Sequence, residues 1–445
     1  MRHRGRVLVA VVAAASLTVS AALPADATPS VYWTDQFGGS DNDVVTAVTT
    51  TPRGNVLAVG TTSTSLVPGY TPQGGIDLFV VSYDRSGDRQ WAAQFGSPGQ
   101  EVPARTLVVA PNGDVIVAGT VSSGAFAGFS AQGGEDIFVV RLNRKGKQLW
   151  AVQYGSSGND EVRGVALSAS GDIYLAITSN AAFPNGSAPP TSTYGEYDAV
   201  IAKLDRKGRL KWSRSIGSSE QEGTYGIATN RRGEVFLVGW TGGLVESGGV
   251  DGAADDGFIA CYDRSGNQKW VRQTGQQAND GFYAVATTPQ GDAVVAGLSN
   301  LPDAGTIPGY NSQVGGFDGI VAKYSREGVL VWVNQHGTTG NDKDTSIAVA
   351  RNGQIYVGGL TEGTWAGYAN QGGTDGYVAH LTPSGTAVSA RQLGTAGNEG
   401  LSYLGVSVAA LGSSRVAFGT FTTGTLWGHS LAGAMDAVVG VIPRP

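Results

Sequence analysis

Acidic residues recur at two positions of a repeating unit, and carboxylates can bind hard cations or transfer protons. The first set consists of Asp43, Glu101, Asp160, Glu222, Asp280, Asp342 and Glu399. The second set consists of Asp77, Asp136, Asp198, Asp256, Asp318, Asp375 and Asp436. We call them the first and second acidic rings, because a closed fold would arrange each set in a circle.

Two interpretations of these rings are open. Carboxylates crowded at a channel mouth would favour a cation, and calcium suits oxygen ligands. A residue repeated in every unit more often serves the unit itself, since Asp accepts hydrogen bonds from backbone N–H groups in turns. Neither ring matches an EF-hand loop. We therefore predict a structural role for both rings and no cofactor, with calcium at the first ring as the alternative.

The longest and most variable segment of each unit carries aromatic side chains, which can stack on sugars or bury a peptide side chain. Variable loops on a rigid scaffold are the usual place for recognition. The ligand-binding candidates are Tyr70, Phe129, Trp240, Tyr310, Trp365, Tyr368 and Trp427. The alternative is that these rings fold back and cover the ends of the sheets.

Signatures of catalysis are weak. The chain has no HExxH motif, no Gly-x-Ser-x-Gly elbow and no phosphate-binding loop. Three histidines beyond residue 27 occupy three different positions of the repeat: His336, His380 and His429. We interpret His336 as a packing residue in the place of Phe37 or Phe95. The single cysteine, Cys261, is interpreted as a partly exposed thiol without a chemical role.

Tryptophan sets the period of the repeat. It occurs at Trp33, Trp91, Trp150, Trp212, Trp270 and Trp332, with Ser389 in the seventh position. Neighbouring numbers in this series differ by 57 to 62 residues, which indicates a stack of equivalent units. Within the second unit, the runs 115–119, 136–140 and 150–155 have the length and composition of β-strands separated by Gly-centred turns.

Four short strands in each unit predict an all-β fold, a seven-bladed β-propeller of four-stranded antiparallel blades. Small residues four positions after the first acidic ring mark the innermost strand, where neighbouring sheets approach most closely: Ala47, Gly164, Gly226, Ala284 and Ser346. The chain opens with a spare strand at 32–37, and its last unit lacks an outer strand. We therefore predict that the N-terminal strand pairs in the last blade and closes the ring.

Residues 1–27 have the features of a secretory signal peptide, with a basic start, an apolar run and an Ala-x-Ala site. We predict cleavage near Ala27–Thr28, secretion, and a propeller over residues 28–445 with repeats that begin near residues 33, 91, 150, 212, 270, 332 and 389. Losing the leader removes three Arg and one Asp, which takes the formal net charge from −6 to −8. This acidity argues against nucleic acid and anionic membranes as partners. We expect a monomer without membrane insertion.

The repeat resembles that of the secreted bacterial seven-bladed β-propeller (SBBP) family. The likeness covers residues 31–445 and is clearest at Gly-Gly-x-Asp segments such as 133–139 and 315–321. It implies an exported or cell-surface protein, and the family has no settled common activity. A more limited likeness links segment 84–91 to the tryptophan docking motif of quinoprotein propellers, which implies that the tryptophan joins neighbouring blades. The chain lacks their vicinal cysteine pair, so this likeness does not extend to a quinone cofactor.

We therefore expect an exported, non-catalytic binding module that presents variable loops on one propeller face to an extracellular glycan or protein. The alternative is an extracellular carbohydrate-active enzyme, a hydrolase or lyase that uses carboxylates at the channel mouth. A structural scaffold for display is a third possibility.

Overall fold

Seven four-stranded antiparallel sheets make up the protein. The computed structural model describes residues 31–122, 126–246, 255–274, 279–300, 315–400 and 404–445. The first strands of neighbouring sheets contact one another around the whole ring, so the sheets are blades of a β-propeller with a central channel. The predicted fold class is confirmed. Within the described residues no helix is long and apolar enough to cross a membrane.

The strands are numbered in chain order, and β1 covers Trp33–Phe37. Blade 1 contains β2 (Asp43–Thr50), β3 (Val56–Thr62), β4 (Asp77–Tyr83) and β5 (Arg89–Phe95). Blade 2 contains β6 (Gln100–Val109), β7 (Val115–Ser122), β8 (Glu135–Leu142) and β9 (Gln148–Tyr154), with a 3₁₀ helix at Phe126–Gly128. Blade 3 contains β10 (Asp160–Leu167), β11 (Ile173–Ser179), β12 (Asp198–Leu204) and β13 (Leu210–Ile216). Blade 4 contains β14 (Glu222–Thr229), β15 (Val235–Thr241), β16 (Asp256–Tyr262) and β17 (Gln268–Thr274).

The remaining blades follow the same order. Blade 5 contains β18 (Asp280–Thr287), β19 (Ala293–Ser299), β20 (Asp318–Tyr324) and β21 (Leu330–His336). Blade 6 contains β22 (Asp342–Val349), β23 (Ile355–Thr361), β24 (Asp375–Leu381) and β25 (Ala387–Leu393). Blade 7 contains β26 (Ser407–Leu411), β27 (Arg415–Thr422) and β28 (Asp436–Pro443), and β1 is its outer strand.

Ring closure occurs in blade 7, where the two ends of the described chain meet. Strand β1 pairs antiparallel with β28, in a register that runs from Trp33 opposite Val441 to Phe37 opposite Ala437. The predicted closure is therefore confirmed. It gives β28 a hydrogen-bonded partner on its outer side, so this third strand of the last blade is not an exposed sheet edge.

Tryptophan joins each blade to the next, except between blades 6 and 7. The indole of Trp91 in β5 packs against Gly146, in the turn between the third and fourth strands of blade 2, and its N–H donates to the carbonyl of Arg144 at 3.1 Å. The same packing recurs in the pairs Trp33–Gly87, Trp150–Gly208, Trp212–Gly266, Trp270–Gly328 and Trp332–Gly385. The tryptophan therefore has the docking role that the resemblance implied.

Ring closure explains why Ser389 interrupts the tryptophan series. Ser389 lies in β25, the outer strand of blade 6, and a tryptophan there would dock on a turn of blade 7. In blade 7 the third strand is β28, near the end of the chain, and the fourth is β1, near its start. No turn joins these two strands, so an indole at this position would have no glycine turn to pack against.

The apolar core lies between the blades, and it includes Cys261. This residue is fully buried in the cluster of blades 4 and 5, beside Phe236 and Ile259. Burial raises the pKa of its thiol to about 12. The prediction that Cys261 is partly exposed is therefore wrong, because the neighbouring blade covers this side of β16.

Candidate ligand site at the channel mouth

Every member of the first acidic ring is buried, and six of the seven accept a backbone N–H from the connection that leads into an inner strand. In blade 3, Asp160 accepts the backbone N–H of Ser156 at 2.5 Å and the hydroxyl of the same residue at 2.8 Å. The backbone bond from the residue four positions earlier also reaches Asp43, Glu101, Glu222, Asp342 and Glu399. Asp280 is equally buried and lies beside Ser299. These carboxyl groups hold the crossover between blades.

Burial raises the pKa of every carboxyl group in this ring, because a buried carboxylate loses its hydration. The pKa reaches about 7 for Glu101, Asp280 and Glu399. Across the described residues, no three His, Cys, Asp or Glu side chains are grouped so that they could hold a metal ion. Calcium binding by the first ring stays an untested alternative.

The second acidic ring ties the long loops to the outer strands through a glutamine. In blade 1, Gln94 donates to Asp77 at 3.0 Å, and its amide oxygen accepts the backbone N–H of Leu66 in the loop. The same glutamine–aspartate bond joins Gln36–Asp436, Gln153–Asp136, Gln273–Asp256, Gln335–Asp318 and Gln392–Asp375. Our sequence analysis missed these glutamines, although each lies three residues after the repeated tryptophan or Ser389.

Several of the predicted ligand-binding aromatics pack inward. Trp365 lies against Tyr377, with ring centroids 5.2 Å apart, and Trp427 packs edge-on against Phe418 at 5.6 Å. The hydroxyl of Tyr70 is buried next to Asp77. These contacts support the alternative that loop aromatics cover the ends of the blades.

Other members of the set remain nearer the surface. Phe129 is 38% exposed, Tyr368 is half-buried, and Trp240 lies over Gly223 at the start of β14. Tyr310 lies outside the described residues. Tyr194, which our sequence analysis did not select, is 55% exposed in the long loop of blade 3. Its position just before the second-ring Asp198 is the signal that could have identified it.

In six of the seven blades a bulge or register irregularity in the inner strand places a side chain in the channel. In five blades the residue that the strand register skips lies three positions after the first acidic ring: Thr46, Arg163, Tyr225, Tyr283 and Thr345. In β6 the irregularity is longer, between Pro103 and Leu107, and it contains Arg105. All of these residues line cavities of the channel. The small residues already identified in the sequence follow the bulge directly, so they mark its position.

Two cavities lie along the channel, and Arg105 lines both of them. One, of about 400 Å³, lies deeper in the channel and is lined by Tyr225 and Tyr283. The guanidinium of Arg105 lies 4.9 Å from the Tyr225 ring centroid, and the two tyrosine rings meet edge-on at 4.6 Å. The other, of about 570 Å³, opens on the long-loop face at blades 1 to 3 and is lined by Arg105, Arg163 and Val102. We call this second cavity the mouth cavity.

The mouth cavity also contains two accessible carboxylates, Glu135 and Glu161. Glu161 forms an ion pair with Arg163. Burial and the neighbouring charge of Glu161 raise the pKa of Glu135, with Arg163 partly opposing the shift. The site thus combines guanidinium donors, carboxylate acceptors and apolar surface within one cavity.

Comparisons with known proteins bear on the fold and do not assign the chain to a family. No protein-family model matches it, so the resemblance to the SBBP family stays a prediction. It is similar to the regulatory protein FlaEY of Caulobacter vibrioides, at 24% identity over 404 residues, which is 82% of this chain and 42% of FlaEY. The chain thus spans less than half of that relative.

Solved structures show the fold alone. The chain is similar to a polysaccharide lyase of family PL25, an ulvan lyase, at TM-score 0.52 and 10% identity, covering 92% of this chain and 98% of that one. A protein of unknown function from Dyadobacter fermentans has a TM-score of 0.45 at 12% identity, with the same shares of the two chains covered. At such low identity neither likeness carries a function over to this chain.

Proposed function

We propose that the protein is an exported binding module that recognises its ligand at the mouth cavity, on the face of the long loops. One observation supports this proposal above all. The channel side chains differ in chemistry from blade to blade, whereas the residues repeated in every blade are buried and hold the fold. A specific ligand needs such an asymmetric set of contacts, because a symmetric ring offers the same contact in every direction.

The chemistry of the mouth cavity favours a carbohydrate. Arg105 and Arg163 supply fixed N–H donors, and Glu135 and Glu161 accept hydrogen bonds from hydroxyl groups. Phe129 and Tyr194 expose aromatic surface in the long loops of blades 2 and 3, the blades that supply most of the cavity wall. Aromatic rings beside polar groups suit the apolar faces and the hydroxyl edges of a sugar.

A glycan and peptide array with the mature protein tests this proposal. Replacing Arg105→Gln together with Arg163→Gln should weaken glycan binding by about tenfold or more, as expected for central contacts of a site. Lys343→Gln is the matched control, since Lys343 lies near the start of inner strand β22 but outside the cavity. Peptide binding without glycan binding would favour a protein ligand. Unchanged binding by a folded double variant would reject the mouth cavity as the site.

Trp365 and Trp427 remain proposed ligand contacts, but replacing them alters folding and binding together because both pack inward. Phe129→Ala and Tyr194→Ala are sharper tests of the rim. We expect each to weaken glycan binding severalfold without a change in melting temperature, because both rings are exposed in the free protein.

A carbohydrate-active enzyme is the second candidate, and the Glu135–Glu161 pair is the observation that favours it. A carboxyl group with a raised pKa beside a second carboxyl group that is paired with an arginine resembles the arrangement used for general acid and base catalysis on sugars. Release of oligosaccharides from polysaccharide substrates, lost in Glu161→Gln but kept in Asp41→Asn, would establish this activity. Asp41 is exposed and lies outside the cavity, which makes it the matched control.

A further inference from the structure

The propeller is strongly polarised in charge. Its turn face, opposite the long loops, consists of the turns that join the first to the second and the third to the fourth strand of each blade. Within the described residues every Lys and Arg classed as exposed lies on this face: Arg53, Arg85, Arg89, Arg144, Lys145, Lys147, Arg206, Lys207, Arg209, Lys211, Arg231, Arg232, Arg264, Lys269, Arg351 and Arg444. The exposed acidic residues of the described chain lie mostly on the long-loop face: Asp41, Glu196, Glu220, Asp255 and Glu362.

Acidic residues on the turn face offset only part of this charge. Asp35, Asp205 and Glu234 form ion pairs with Arg89, Arg209 and Lys269. Other acidic residues are used within the fold. Asp84 is half-buried and accepts the backbone N–H groups of Ser86 and Asp88 inside its own turn. Asp114 is buried and pairs with Arg141 at 2.9 Å. Among the described residues, the acidic ones classed as exposed on this face are Asp88 and Glu327. The outer surface of the turn face is therefore basic although the chain as a whole is acidic.

The turn face also has a cavity and exposed apolar side chains. A cavity of about 520 Å³ lies where blades 1, 6 and 7 meet, and three arginines from these blades line it: Arg85, Arg351 and Arg415. Tyr32, at the same end, is 57% exposed and lies 5.5 Å from the guanidinium of Arg415. Leu149 and Val329, at the starts of two outer strands, are 51% and 61% exposed.

We propose that the turn face docks on the anionic headgroups of a phospholipid bilayer. The exposed cations are spread over most of the blades of a flat ring, so a planar anionic surface can reach them together, whereas a linear polyanion reaches only a stripe. Exposed Tyr and aliphatic side chains at the same end suit the interfacial layer of a membrane. This contact is peripheral, and it leaves the mouth cavity open to solvent on the opposite face.

The membrane contact does not depend on the proposed ligand site. It differs from the expectation based on net charge, by which the acidity of the chain argued against an anionic membrane as a partner. A formal charge of −6 describes the whole chain and conceals two faces of opposite sign. Docking responds to the local potential within about 10 Å of the contact at moderate ionic strength, so the charge of the far face contributes little.

Vesicle sedimentation tests the proposal. The protein should sediment with vesicles in which phosphatidylglycerol replaces part of the phosphatidylcholine, and not with phosphatidylcholine alone, and salt should release it. The double variant Arg231→Gln, Arg232→Gln should bind about tenfold more weakly. Thr193→Glu with Gln371→Glu is the matched control, because it changes the net charge equally on the long-loop face.

Equal sedimentation with both vesicle types would overturn the proposal. So would wild-type binding by the arginine variant, or loss of binding by the control to the same extent. A third arm uses heparin and duplex DNA. Retention by these polyanions without vesicle binding would assign the basic face to a polymer and reject the membrane.

Discussion

His336 and Asp344 lie 3.1 Å apart across the junction of blades 5 and 6, where both side chains are buried. The hydroxyl of Tyr377 donates to the same carboxylate, and Asn334 contacts the other ring nitrogen of His336. At the junction of blades 7 and 1, Phe37, Val45 and Phe79 occupy the corresponding places. His336 does stand in the place of Phe37, as the sequence predicts, but it belongs to a polar cluster rather than to apolar packing.

Replacing one member of this cluster should lower the free energy of unfolding more than replacing all three members together. His336→Phe leaves the Asp344 carboxylate buried without its imidazole partner, so we expect a loss of about 3 kcal/mol in the free energy of unfolding. The triple variant His336→Phe, Asp344→Val, Tyr377→Phe restores the apolar set of the other junction and should recover most of that loss. Urea unfolding measures both. A triple variant less stable than the single one would contradict this account.

Stability should fall as the pH rises through the range in which the first acidic ring titrates. Folding raises the pKa of these carboxyl groups, to about 7 for Glu101, Asp280 and Glu399, so the folded state holds protons that the unfolded state has released. The stabilisation from these bound protons is complete below the usual carboxyl pKa. It is lost progressively as the pH rises to the raised pKa of the folded state. We expect a higher melting temperature at about pH 5 than at about pH 8.

His336 changes stability in the same direction. Burial by itself lowers the pKa of its ring, but the carboxylate of Asp344 and its neighbours raise it above the usual value. Protonated His336 therefore stabilises the fold at low pH.

Glu101→Gln and Glu399→Gln should flatten the dependence of the melting temperature on pH, and an unaltered profile in the double variant would show that other groups control it.

The contact between tryptophan and glycine can be measured separately from backbone strain. A Cβ at Gly146 would lie 2.5 Å from Cε3 of Trp91, and the residue has a φ of +80°. Gly171, in a turn between first and second strands, has a φ of +83° and no atom nearer than 3.8 Å. Gly171→Ala should therefore cost only the strain of a left-handed residue, about 1 kcal/mol.

Gly146→Ala adds the clash with the indole to the same strain, so it should cost at least about 2 kcal/mol. Calorimetry of the two variants measures the difference between their losses in the free energy of unfolding. Equal losses would mean that Trp91 can move away without cost.

Removing the closing strand should destabilise the whole ring. Deleting residues 28–38 removes β1, exposes the edge of β28 and takes away Gln36, which donates to buried Asp436 at 3.0 Å. We expect a sharp fall in melting temperature and aggregation through the open edge. Gln36→Ala keeps the strand and should cost about 1–3 kcal/mol, the usual penalty for leaving a buried polar group unsatisfied. An unchanged melt of the deletion variant would contradict the closure.

The architecture could be predicted from the sequence because its determinants are local and repeated. Each unit specifies its own strands through apolar runs and glycine turns, and the tryptophan period counts the blades. The spare strand before Asp43 and the missing one at the end then leave a single way to complete the ring. A structural role for repeated carboxylates follows from the same logic, and the buried contacts of Asp160 and Asp77 agree with it.

Only the tertiary structure decided what each face presents, because this depends on how strand ends converge around an axis. A period along the chain cannot show that Trp365 turns inward while Phe129 remains exposed. Nor can it show that the bulges bring Arg105 and Tyr225 together across the channel. Exposed basic residues occur in turns throughout the sequence, and the meander of each blade brings them to one end, whereas most of the exposed acidic residues lie at the other end. Side chains distant in sequence become one surface only when the ring closes.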